Sequence, residues 1–205
     1  MTKAWLQKRK RDYYYRKAKE EKYRSRAAYK LLQTARKYRF IHKGDVVVDL
    51  GCAPGGWLQA ARKLVGAKGF VLGVDLKPVE PLPEENVQII VADITEEGLA
   101  EKIISMLPRQ ADVVLCDASP NISGVWEVDH ARQIDLANHA LLLAEKILKP
   151  DGSFFVKVFQ GDMLDDFIRN VKNSFSKVKL IKPKASRAES SEMFILGIGL
   201  KLRKM

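Results

Sequence analysis

The chain has 205 residues, 46% of them hydrophobic, and 36 Lys or Arg against 25 Asp or Glu give it a formal net charge of +11. That length suits one substantial domain, and the charge favours polyanionic partners, nucleic acid first and an anionic membrane surface second. Two cysteines (Cys52 and Cys116) in apolar surroundings, no apolar stretch within the first 30 residues and no run long enough to span a bilayer argue against a disulfide scaffold, a secretion signal and a membrane anchor. A soluble cytoplasmic protein with no membrane partner is expected.

Residues 1–30 hold twelve Lys or Arg against Asp12, Glu20 and Glu21, which is nine of the eleven net positive charges. Tyr13, Tyr14, Tyr15 and Tyr23 are interleaved with them. Cations neutralise phosphates and tyrosine rings stack on bases, although a solvated basic arm has the same composition. Residues 1–24 therefore read as a basic amino-terminal extension, and 25–205 as one domain. Ser25 reads as the cap of a helix that runs through Ala27, Ala28, Leu31, Leu32 and Ala35 to about residue 38. Regular alternation follows. Strands are expected over 45–50, 70–75, 87–92, 111–117, 153–159, 178–181 and 193–200. Helices are expected over 57–64, 96–107, 129–148 and 162–171. In the third of these, Ile134, Ala137, Leu141, Ala144 and Leu148 make one apolar face. The first five strands are near-continuous apolar runs, as in a parallel sheet covered on both sides, so the fold class is a doubly wound, Rossmann-like α/β domain.

Residues 46–57 read as a strand, a glycine loop and a helix start. The spacing of Gly51, Gly55 and Gly56 is G-x-x-x-G-G, which is neither the dinucleotide fingerprint nor a P-loop. Small residues there let a ligand approach the backbone near helix amides. Asp75 ends the second strand, where a carboxylate can accept both hydroxyls of a ligand ribose. Asp93 ends the third and is placed for an adenine amino group. Each residue alone is an ordinary turn or cap. Together they mark the carboxyl ends of successive strands, where open α/β sheets bind ligands, and they point to an adenosyl cofactor. His42, His130 and His139 form no metal-ligand spacing with the cysteines, so no metal is expected.

Five ordered segments carry a resemblance: Ser25-Arg26-Ala27-Ala28-Tyr29-Lys30-Leu31, Asp49-Leu50-Gly51-Cys52-Ala53-Pro54-Gly55-Gly56-Trp57, Asp117-Ala118-Ser119-Pro120-Asn121, Val156-Lys157-Val158-Phe159-Gln160-Gly161 and Lys182-Pro183-Lys184-Ala185-Ser186-Arg187, the last followed by Glu192. Residues 23–200 closely resemble the FtsJ/RrmJ family of ribose 2′-O-methyltransferases. The resemblance implies a seven-stranded, mostly parallel sheet with an antiparallel last strand. It implies S-adenosyl-L-methionine as methyl donor and S-adenosyl-L-homocysteine as product. It places the family's catalytic set on Lys30, Asp117, Lys157 and Glu192, and its cofactor contacts on Gly55, Trp57, Asp75, Asp93 and Asp117, with Gly51 added from the loop. Trp57, an aromatic at a helix start, reads equally as core. Cys52 stands where the family typically has alanine. RNA contacts are expected from Arg24, Arg26, Asn121, Lys182, Lys184 and Arg187.

The closest likeness is to compact members that methylate a uridine of large-subunit (23S-type) ribosomal RNA, working as a monomer on RNA or on the ribosomal subunit. A tRNA ribose methyltransferase, a base, protein or small-molecule methyltransferase, and a non-catalytic RNA-binding or ribosome-assembly protein are the alternatives. Lys157 is read as the base that takes the proton of the attacking hydroxyl, or as a cation that stabilises charge developing on its oxygen. The residues leave both roles open.

Overall fold

A computed structural model describes residues 12–202, so the expected arm residues 1–11 and the last three residues lie outside it. The apolar runs β1 (Val46–Leu50), β2 (Phe70–Asp75), β3 (Val87–Val91), β4 (Ala111–Cys116), β5 (Leu148–Phe159), β6 (Phe175–Ile181) and β7 (Glu192–Leu200) form one sheet in the order β3-β2-β1-β4-β5-β7-β6. Neighbours from β3 across to β5 are parallel, whereas β7 is antiparallel to both β5 and β6. The expected seven-stranded, mostly parallel sheet with an antiparallel last strand is therefore observed.

Successive strand residues point to opposite faces, and the core divides accordingly. Val47, Val71, Leu115, Phe155 and Phe194 pack beneath helices α2 (Ala28–Tyr38) and α3 (Gly56–Val65). Val46, Val48, Val114, Phe154 and Val156 pack beneath α4 (Leu99–Met106), α5 (Trp126–Ile147) and α6 (Leu164–Ser174). The short helix α1 (Tyr13–Glu20) is capped by Asp12, whose Oδ1 accepts the Tyr15 amide at 3.1 Å. Ala18 of α1 is buried against Tyr29 and Ala185. Tyr14 and Tyr23 pack their rings on Tyr29 at 5.6 and 5.5 Å. Two of the four expected base-stacking tyrosines thus dock the arm onto the domain, while Tyr13 stays exposed.

Several boundaries differ from expectation: α4 begins three residues late at Leu99, β6 begins three residues early at Phe175, and α6 runs three residues further to Ser174. Ser25 does not cap α2: the cap is Ala27, with no side-chain bond, and the Ser25 hydroxyl instead sits where a Cβ on Gly56 would come within 2.1 Å. α5 begins three residues early, at Trp126. β5 begins at Leu148 because Leu148 pairs with Ala111 before the register jumps to Val113 and Ser153. Lys149 to Gly152 bulge out between those pairs, with Asp151 at φ +63°, which is why this stretch reads as a turn.

At the base of β4, away from the carboxyl rim, Asp112 is buried. Its carboxylate accepts the Val46 amide at 2.7 Å and pairs with Lys149 at 2.6 Å and Arg109 at 2.5 Å. Burial alone would raise its pKa, but Lys149, the Val46 amide and Arg109 together hold it below the ordinary carboxylate value. A depressed folded pKa adds stability that is complete above the unfolded value of about 4 and is lost as pH falls below it. Asp112→Asn is expected to lower unfolding free energy by about 1–3 kcal/mol near neutrality. The gap to the parent should narrow in urea titrations run below about pH 4.

Candidate active site

The parallel β4–β5 register pairs Cys116 with Val156, so Asp117 leaves β4 beside Lys157. Lys157 is 6% exposed, and its Nζ donates to the Asp117 carbonyl at 2.7 Å. Asp117 Oδ1 lies 3.2 Å away, an ion pair without hydrogen-bond alignment, which leaves that buried oxygen with acceptor capacity. Antiparallel pairing of β5 with β7 sets Phe194 opposite Lys157 and Glu192 opposite Phe159. Directly opposed residues share a face, so Lys157 and Glu192 both point toward α2. From α2, Lys30 places Nζ 2.7 Å from each Glu192 carboxylate oxygen and 5.5 Å from the Phe194 ring centroid. Ser186 donates to Glu192 Oε1 at 3.0 Å. The four residues implied by the resemblance form two ion pairs on one sheet face at its carboxyl end.

Next to them is a cavity of about 300 Å³, lined by Gly51, Asp75, Asp93, Ala118, Ser119 and Asn121 among others. Gly51 makes its floor possible: its φ is +73°, and a Cβ there would lie 2.5 Å from the Ala118 Cα. Asp75 accepts the Ala53 amide on Oδ2 at 2.8 Å and the Lys77 amide on Oδ1 at 2.9 Å. Each oxygen keeps a second lone pair for a hydroxyl donor. Asp93 takes the Thr95 amide and hydroxyl on Oδ1, at 2.9 and 2.8 Å, and keeps Oδ2 for another donor. A glycine floor with two carboxylates holding spare acceptor sites fits an adenosine moiety. A larger cavity of about 930 Å³, lined by Asn138, Leu142, Asn170 and Leu202 among others, lies at the opposite end of the sheet.

The other expected residues have more specific partners than sequence could show. The Trp57 indole is core: it stacks on Phe155 at 5.5 Å and donates to the Ala27 carbonyl at 2.8 Å. The Arg24 guanidinium donates to the carbonyls of Pro54, Glu80 and Pro81, clasping the glycine loop against Gly55. Arg26 pairs with Asp12 and donates to the Ala185 carbonyl; burial and neighbouring Arg187 lower its pKa from the ordinary arginine value. Arg187 reaches the same Asp12 oxygen at 3.4 Å. Lys182 braces the loop before β7 through the carbonyls of Ala188 and Ser190. Lys184 and Asn121 are exposed. Among the described residues no group of three or more His, Cys, Asp or Glu side chains is assembled as a metal site, and no helix is long and apolar enough to cross a membrane.

Sequence reading missed Gln133 and Asp49. Gln133 of α5 is fully buried and donates to the carbonyls of Ala118 at 3.2 Å and Lys157 at 3.1 Å, tying the helix to the site. Its signal is a polar residue one turn before Ala137 on the apolar face. Asp49 lies fully buried in β1 with neither oxygen hydrogen-bonded. Its signal is an acid inside an otherwise apolar strand. Burial first, then Asp117 and Asp75, push its pKa well above the ordinary carboxylate value. A raised folded pKa means the unfolded chain releases this proton first, so the group costs stability as pH rises above about 4 until the folded carboxyl ionises. Asp49→Asn is expected to flatten that decline, gaining on the parent as unfolding is measured from about pH 4 to about pH 7.

Residues 23–200 match the family model described as FtsJ-like methyltransferase. A relative named ribosomal RNA large subunit methyltransferase E from Methanococcus aeolicus is 54% identical over 195 residues, covering 95% of this chain and 72% of the relative. Its namesake from Methanothrix thermoacetophila is 56% identical over 187 residues, 91% of this chain and 72% of that one. Among solved structures, one described as a ribosomal RNA methyltransferase from Plasmodium falciparum superposes with a TM-score of 0.76 at 27% identity, covering 87% of this chain and 98% of that chain. Aeropyrum pernix fibrillarin, solved with S-adenosyl-L-methionine, shares the fold at 16% identity and a TM-score of 0.59, over 86% of this chain and 75% of its own. The chain belongs to the FtsJ-like methyltransferase family and is an S-adenosylmethionine-dependent methyltransferase.

Proposed function

We propose that this methyltransferase modifies the 2′-hydroxyl of a ribose, that of a uridine in large-subunit ribosomal RNA. The observation that carries the reading is the buried Lys157 amine, held by Asp117 beside the Gly51 cavity and flanked on the same face by the Lys30–Glu192 pair. A hydroxyl is a weak nucleophile until its proton is taken, so a buried amine at this point has a specific task. S-adenosylmethionine, when bound, supplies a methyl carbon on a positively charged sulfur that leaves as a neutral thioether. Asp75 would hold the cofactor's ribose hydroxyls and Asp93 its adenine amino group, with the Gly51 and Gly55 backbone against the remainder.

Lys157 first gives up its ammonium proton to solvent; the free amine then accepts the proton of the attacking hydroxyl as its oxygen–carbon bond forms, which restores the ammonium. Asp117 fixes the amine's position through both its carbonyl and its carboxylate. Glu192, shared by Lys30 and Ser186, keeps the Lys30 cation at the mouth of the site, where a ribose-phosphate backbone would pass. The net charge of +11 and the names carried by the similar methanogen proteins support RNA of the large ribosomal subunit as the substrate.

Lys157→Ala is expected to slow methyl transfer by about 10²–10⁴-fold while S-adenosylmethionine still binds. Lys157→Arg keeps the charge but cannot take a proton, so it should be nearly as slow. An active arginine variant would assign Lys157 to charge stabilisation instead. Labelled methyl should enter large-subunit particles or their purified RNA, and incorporation into tRNA alone would replace the substrate assignment.

A further inference from the structure

Trp126 opens α5 at the carboxyl end of the sheet and remains 44% exposed. Its ring is nearly parallel to His130, with centroids 5.9 Å apart, and to Phe159 at 6.0 Å. Around it Ile122 is 64% and Val125 53% exposed, and Met163 is exposed across the β5–α6 turn. An apolar group of this kind on one rim marks a contact surface more often than chance exposure.

The ledge is held by its own frame. Asp129 Oδ1 accepts the Ser123 amide and hydroxyl at 2.7 and 2.8 Å, and its Oδ2 accepts the Gly124 amide at 3.1 Å. His130 Nε2 accepts the Met163 amide at 3.2 Å, and Gly161 packs so tightly on that imidazole that a Cβ would come within 2.7 Å. Trp126, His130 and Gln133 share one face of α5, and Gln133 is bonded to the Lys157 carbonyl. Seven residues of helix separate Trp126 from Gln133, a distance of about 10 Å. The loop from Ala118 to Val125 leads from the Gly51 cavity to this ring.

We infer that Trp126 is a stacking platform for an unpaired RNA base at or next to the nucleotide that receives the methyl group. The inference rests on the proposed function. A base beside the target ribose must go somewhere once it leaves its own stack, and single-stranded RNA is commonly received on aromatic side chains. A preformed ring ledge about 10 Å along α5 from the Lys157 anchor meets that need without ordering new structure.

The test combines RNA affinity with crosslinking. Trp126→Ala should raise the Kd for large-subunit RNA roughly 5- to 100-fold, the range of base–aromatic stacking, with S-adenosylmethionine affinity unchanged. Trp126→Tyr should restore most of the binding, whereas Trp126→Leu, apolar but without a ring, should not. Irradiation of parent protein with RNA carrying 5-iodouridine around the modified position should yield a crosslink mapped to Trp126. Unchanged affinity in the alanine variant with no such crosslink would overturn the platform and leave the proposed function standing. Full restoration by leucine would overturn ring stacking and leave a plain apolar contact with the RNA. A parent enzyme that methylates no RNA ribose would remove both claims.

Discussion

A lysine amine buried at the carboxyl end of β5 has to be met by acceptors there, and the architecture around Lys157 answers that constraint. An unpaired ammonium in such a place would cost several kcal/mol. Parallel pairing with β4 brings the Asp117 carbonyl and carboxylate to it. Antiparallel pairing with β7 brings Phe194 alongside and places Glu192 one pleat further on, where it receives Lys30 from α2. Gln133 reaches from the other face and fixes the Lys157 backbone. A one-residue slip of β7 would turn Glu192 to the opposite face and leave Lys30 without its partner.

The cavity beside Gly51 is bordered by carboxylates in different surroundings. Asp75 and Asp93 are anchored by backbone amides and keep acceptor sites toward the cavity. Asp49, sealed beside them, has its pKa pushed up first by burial and then by repulsion from Asp117 and Asp75. The basic arm contributes structure here as well as charge. Arg24 clasps the glycine loop, and Asp12 gathers Arg26 and Arg187, so much of the positive charge near the cleft is already engaged with protein.

The alternation of apolar runs made the sheet and most helices legible, because strands buried on both faces leave a continuous apolar signature. The start of β5 was hidden because Lys149-Pro150-Asp151-Gly152 reads as a turn and is in fact a bulge inside a strand. The glycine loop and the acids after β2 and β3 were readable from spacing alone. Lys30 and Glu192 were not: 162 residues separate them, and only the family resemblance joined them before the fold did. The roles of Arg24, Arg26 and Trp57 depended on main-chain carbonyls supplied by distant loops, which composition does not encode. Trp126 gave no signal at all, since its meaning comes from where α5 begins relative to the end of β5.

The most direct measurement is the chemical position of the transferred methyl group. Large-subunit particles would be incubated with the protein and isotopically labelled S-adenosylmethionine, and the RNA digested and analysed by mass spectrometry and alkaline hydrolysis. The account requires the label on the sugar of a uridine, with the adjoining linkage resistant to alkali. Label on a nucleobase would contradict the chemistry assigned to Lys157 and the arrangement built around it.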